Sequence, residues 1–213
     1  MISCRVLIAG VAGALLVQVA AWAGAPTEQL RPALEELIQV LEDQALKPDS
    51  KTKEREARAR AAVIDLVDFP EMARRTLGPH WRSLGESERD EFIRLFRALL
   101  EHTYLPKIAL YRGERVRFVG ESVDGDLAAV QAVVVTRDRK EVPVLYRLRQ
   151  RDQRWLVYDI AVEGISLVNN YRSQFTQIMQ RGSYQELAKR IRQRLDSTPS
   201  AGAWGSLGSS RGK

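Results

Sequence analysis

Apolar residues follow two different periods along this chain, and the change falls near its middle. Leu30, Leu34, Leu37 and Leu41 recur at helical spacing behind Pro26 and Thr27, which predicts a first helix. Residues 47–53, with Pro48, Asp49 and Ser50, break that pattern, and a basic helix is expected over 54–67. Asp68-Phe69-Pro70-Glu71 reads as a fresh helix start. Asp68 can accept from free amides there, and Glu71 three positions later completes a capping-box pattern. Gly78-Pro79 then ends the short helix. Over 86–104, Phe92, Leu95, Phe96, Leu99 and Thr103 share one face. Glu88, Arg89, Asp90, Glu91 and Arg94 mostly take the other, so this is the clearest helix of the chain.

The second half alternates with period two. Residues 115–123, 127–136, 141–150 and 155–162 are strand-like runs, separated by short charged or glycine-containing gaps that suit hairpins. Val142, Val144, Tyr146 and Leu148 alternate with Pro143, Leu145, Arg147 and Arg149, which gives the sheet one strongly apolar face. Helical spacing returns after Gly164, with Val168, Tyr171, Phe175 and Ile178 on one stripe and Tyr184, Leu187, Ala188, Ile191 and Leu195 on another. Helices, then a meander, then helices predict an α+β protein: a curved antiparallel β-meander covered by helices.

The two ends read differently from this body. Met1 to Arg5 is a short positive start, and residues 6–23 are apolar, rich in small side chains and free of charge. Ala21-Trp22-Ala23 supplies the small-x-small pattern of a signal-peptidase site, so residues 1–23 are expected to be a signal peptide cleaved near Ala23. Cys4, the one cysteine, precedes the apolar run and would leave with it, which removes thiol nucleophiles and intrachain disulfides from the mature protein. Residues 197–213 hold nine Gly or Ser among 17 and no apolar period, the composition of a flexible tail. Residues 24–196 are left as a single domain. The whole chain of 213 residues carries a formal charge of +6, but 27–196 keeps all 27 acidic residues and only 30 of the 33 basic ones, a formal +3. That charge is too mild for a nucleic-acid footprint. It suits, at most, transient proximity to acidic membrane or protein surfaces.

Catalytic groupings are sparse. His80 and His102 fall in no metal-ligand spacing, so no metal or cofactor is expected. Gly164-Ile165-Ser166 lacks the second glycine of a nucleophile elbow, and Ser166 is read as a helix cap. Asp159 sits in a strand and Glu163 just after it. A carboxylate of raised pKa in a cone-shaped cavity can transfer protons, so an exported enzyme acting on a small apolar substrate through Asp159 and Glu163 is one reading. Pairing of Asp159 with Arg147 or Arg172 is the structural alternative. Without catalytic groups, an unfilled apolar cone between sheet and helices would suit an apolar ligand, each buried methylene contributing about 0.8 kcal/mol.

A resemblance adds to this reading. Asp68-Phe69-Pro70-Glu71-Met72-Ala73 through Leu77-Gly78-Pro79-His80-Trp81, Phe92-Ile93-Arg94-Leu95-Phe96 through Thr103-Tyr104, Val142-Pro143 through Tyr146-Arg147-Leu148, Trp155-Leu156-Val157-Tyr158-Asp159, Glu163-Gly164-Ile165-Ser166-Leu167-Val168 and Tyr171-Arg172-Ser173-Gln174-Phe175 occur in that order. As an ordered set over 54–195 they resemble the MlaC (toluene-tolerance auxiliary protein) family. The resemblance implies a periplasmic phospholipid-binding protein of Gram-negative bacteria. Such a protein shuttles lipid between an outer-membrane lipoprotein complex and an inner-membrane ABC transporter complex and so maintains outer-membrane lipid asymmetry. It implies a cone shaped like nuclear transport factor two, with phospholipid as cargo and no cofactor. By that match Ile165 and Val168 are expected near the cavity mouth, and Tyr146, Leu148, Phe96, Leu99, Tyr104, Tyr171 and Phe175 are candidate lipid-binding residues.

Overall fold

The computed structural model describes residues 25–197, apart from 109 and 112. The leader expected at 1–23, with Cys4, and the tail expected at 197–213, apart from Ser197, lie outside those residues. Among the described residues, α1 (Pro26–Glu42), α2 (Thr52–Ile64), α3 (Phe69–Leu77) and α4 (Glu86–Ile108) come first. β1 (Arg115–Asp124), β2 (Leu127–Val135), β3 (Glu141–Arg151), β4 (Arg154–Val162) and β5 (Ile165–Ser166) follow, then α5 (Leu167–Arg181) and α6 (Tyr184–Asp196). The strands form one antiparallel sheet in chain order, the α+β meander that the two periods predict.

Three of the four turns in this meander are two-residue loops. Asp124 pairs with Leu127 around Gly125 (φ +59°), Arg151 with Arg154 around Asp152 and Gln153, and Val162 with Ile165 around Glu163 and Gly164. Positive φ in such loops matches the right-handed twist of the strands they join. Two register shifts, at Phe118/Gly120 and Arg147/Leu148, put one extra residue into β1 and one into β4, and bulges of this kind bend a sheet.

Local chemistry sets the helix boundaries, with three departures from the sequence expectation. The Asp68 carboxylate accepts from the Glu71 amide at 3.0 Å and caps α3, but only half of the capping box forms. The Glu71 carboxylate turns instead to Arg74 and Arg75, and the Asp68 amide donates to the Val157 carbonyl at 2.9 Å. α4 runs one turn past Tyr104 and through Pro106, whose ring removes only a single intrahelical bond near the helix end. β5 is the third departure, a two-residue strand just ahead of Ser166, whose hydroxyl accepts from the Asn169 amide at 3.1 Å and caps α5.

Two apolar cores result. The helical one joins α3, α4, α5 and α6. Phe92 and Phe96 stack there with centroids 5.7 Å apart, and Tyr171 and Phe175 meet Phe96 edge-on, all four fully buried. The second joins α1 to the sheet through Leu30, Val130, Leu148, Trp155 and Val157. Between them the packing is incomplete.

Candidate functional site

The elbow between α2 and α3 is laced to β4 as if it were a strand. Val157 donates to the Leu66 carbonyl at 2.7 Å, and Val67 bridges Val157 in parallel. This fixes Val63, Ile64 and Val67 opposite Val157, Ile160 and Val162 of the sheet. β-Branched side chains are short and stiff at χ1, so they line the gap without crossing it. The last turns of α4 close one side with Leu100, Tyr104, Leu105 and Ile108.

The space they enclose has two lobes. The larger, about 680 Å³, lies between α2, α4 and β4. The smaller, about 410 Å³, runs under α1, where Leu30, Leu34, Leu37 and Leu41 face Val116, Val134 and Tyr146. Val63, Val67, Lys107, Ile108, Leu110, Val157 and Ile160 belong to both walls, so the lobes meet along a common side. Both volumes fall in the range of ligand pockets, about 300–1,000 Å³. Leu110 is 65% exposed, which brings the common wall to the surface at that point.

Polar groups in this lining are few. Arg60 and Glu101 pair at 3.1 Å, and Arg97 also holds Glu101 at 2.9 Å. The Lys107 ammonium lies 5.4 Å from the Tyr104 ring centroid. Tyr146 opens onto the smaller lobe yet lies deep in the protein, and burial pushes its hydroxyl up to about 12. Burial, with Tyr171 beside it, also raises Tyr104 far above the ordinary phenol value, so both hydroxyls stay protonated at neutral pH.

The acids considered for catalysis are elsewhere. One oxygen of Asp159 accepts from Arg147 and from the Ser166 hydroxyl, each at 2.6 Å, and the other accepts from the Val168 amide at 3.0 Å. Those bonds tie β3, β4, β5 and α5 together. Glu163 is exposed and pairs with Lys140 at 3.2 Å. Neither lines a lobe, and among the described residues no group of three potential metal ligands gathers.

The nine residues singled out from the sequence divide by location. Tyr104 lines the larger lobe and Tyr146 the smaller. Phe96, Leu99, Val168, Tyr171 and Phe175 lie in the helical core, and Leu148 lies in the sheet core. Ile165 is 52% exposed and pairs with Val162, which lines the larger lobe. Sequence reasoning passed over Val63, Val67, Lys107, Ile108, Leu110, Val157 and Ile160. Its one usable signal was the run of Ile and Leu that continues past Pro106.

Helices laid over a bent antiparallel meander, with a two-lobed apolar hollow between them, define a class of α+β proteins able to enclose an apolar ligand. The family model described as MlaC protein matches residues 31–193, and the chain belongs to that family. The intermembrane phospholipid transport system binding protein MlaC of Haemophilus influenzae is 20% identical over 136 residues, 62% of this chain and 64% of that protein. The chain thus matches just under two thirds of that relative's length. A solved phospholipid-binding protein from Ralstonia solanacearum, in complex with a phospholipid, superposes with a TM-score of 0.69 at 21% identity. The match covers 80% of this chain and 97% of that one, so the two share a fold.

Proposed function

We propose that this chain is a non-enzymatic phospholipid carrier of the Gram-negative periplasm, exported by a signal peptide cleaved near Ala23. The observation that carries the reading is the pair of apolar lobes meeting along one wall, which suits a ligand with two chains joined at one end. Burial of acyl chains there contributes roughly 8 kcal/mol for every ten methylenes, before the cost of ordering them. The names of the Haemophilus relative and of the Ralstonia structure support phospholipid as the cargo. Residues 24–196 form the lipid-binding domain and 197–213 a flexible Gly/Ser tail. The chain takes lipid from an outer-membrane lipoprotein complex to an inner-membrane ABC transporter complex, or the reverse, and so maintains outer-membrane lipid asymmetry. Its contact with membranes is transient, and among the described residues no helix is long and apolar enough to cross one.

The test is native mass spectrometry with lipid extraction on protein expressed with its own N-terminus in a Gram-negative host. A bound diacyl phospholipid is expected. Its occupancy should drop at least tenfold in Ile160→Trp, which places an indole in the wall common to both lobes. Lipid-free protein that takes up no phospholipid from vesicles overturns the reading.

A further inference from the structure

The two lobes share seven wall residues, and six of them are apolar: Val63, Val67, Ile108, Leu110, Val157 and Ile160. The seventh is Lys107. A ligand with two chains in the two lobes has its branch point where the lobes meet, against this wall. Whatever polar group the branch point carries is therefore held near Lys107.

The other charged groups of the lining are already engaged. Arg60 is paired with Glu101, which Arg97 also holds, and Glu114 of the smaller lobe has a partner of its own. Among the described residues Lys107 has no carboxylate within ion-pair distance; its ammonium rests near the ring of Tyr104. A lysine placed this way extends an apolar stem along the hollow and presents a hydrated cation at its edge. Leu110, three residues on and 65% exposed, marks the side on which that edge opens to water.

We propose that Lys107 is the phosphate site of the cavity: its ammonium binds the phosphodiester of a glycerophospholipid whose two acyl chains occupy the two lobes. The proposal rests on the phospholipid reading above and specifies which part of the lipid is recognised. Every glycerophospholipid carries this phosphate, whereas diacylglycerol has the same two chains without it. Lys107 therefore selects for phosphate, not for the alcohol beyond it. A lysine acts as a point charge that accepts several approach directions, which suits a group held at a solvent edge.

The experiment measures uptake by the chain expressed with its own N-terminus, stripped of lipid. The donors are separate vesicles containing phosphatidylethanolamine, phosphatidylglycerol or diacylglycerol of matched chains. The wild-type chain is expected to load either phospholipid about tenfold over diacylglycerol. The ratio falls to near one in Lys107→Gln and is kept in Lys107→Arg. Equal wild-type loading of phospholipid and diacylglycerol, or a full ratio in a folded Lys107→Gln, overturns the Lys107 site and leaves the carrier reading standing. Failure to load any of the three overturns the carrier reading itself. Millimolar inorganic phosphate should leave the ratio intact; a ratio abolished by the free ion assigns the site to that ion and overturns its lipid assignment.

Discussion

The helical core and the two-lobed hollow are built from similar numbers of apolar side chains, yet one is filled and the other is open. In the core, α4 offers Phe92 and Phe96 to Tyr171 and Phe175 of α5, and flat rings at 5.5–6.0 Å fill the space between two helices. In the hollow, α2 offers Val63 and the elbow after it offers Val67 to Val157 and Ile160 of β4, and the spacing between them is set by backbone hydrogen bonds at Leu66, Asp68 and Val157. The side chains there cannot draw the walls together, because the main chain holds them apart. Hydrophobicity makes both regions; stacked rings fill the one, and a rigid backbone link between the elbow and β4 holds the other open.

The sharpest way to break this contrast is to delete equivalent bulk on each side. Phe96→Ala is expected to cost about 3–5 kcal/mol of unfolding free energy in denaturant titration, since it opens a void among fully buried rings. Asp159→Ala should cost about 2–3 kcal/mol, because it leaves Arg147, the Ser166 hydroxyl and the Val168 amide without their common acceptor at the seam between the two regions. Ile160→Ala, in a wall that already faces empty space, should cost only about 1 kcal/mol. A loss as large as that of Phe96→Ala would mean that the two regions are equally packed.

A further effect appears only in acid. Burial pushes Glu71 up, but hydrogen bonds and charge from Arg74 and Arg75 outweigh it and hold the carboxyl down at about 2, against an ordinary 4.5. A lowered folded pKa stabilises the fold above the ordinary value, and that contribution disappears as pH falls from about 4.5 toward 2. Melting curves across that window should show Glu71→Gln less acid-sensitive than the wild type. Identical slopes would remove Glu71 from the acid response.

Much of the fold was legible because period is a local property. The stripes of α4, α5 and α6, the four long strands and the Ser166 cap can each be read from a few neighbouring residues. Three features escaped. Glu71 has the right spacing for a capping box, but arginines one turn away and on β3 compete for its carboxylate. The helix expected over 86–104 runs on through Pro106, because a proline that loses one bond near a helix end is tolerated. β5 is too short to show a period. The site was harder to read, because a hollow consists of space that side chains leave unfilled. Phe96, Tyr171 and Phe175, lipid-binding candidates by the family resemblance, pack against one another in the helical core, while Lys107 belongs to no motif and gains its place in the wall common to both lobes only through the fold.

The anchoring of α1 has a consequence for the order in which the molecule is assembled. Gln29 accepts from the Trp155 amide at 2.7 Å across 126 positions, and Thr27 reaches Glu121 across 94. Three of the β-hairpins close over two-residue turns and can form quickly on their own, whereas α1, which also packs on α2, gains its hydrogen bonds to the sheet only once β1 and β4 exist. The segment synthesised ahead of all these strands is thus fastened to the sheet only after them. The smaller lobe, roofed by α1, is complete only once that fastening is made.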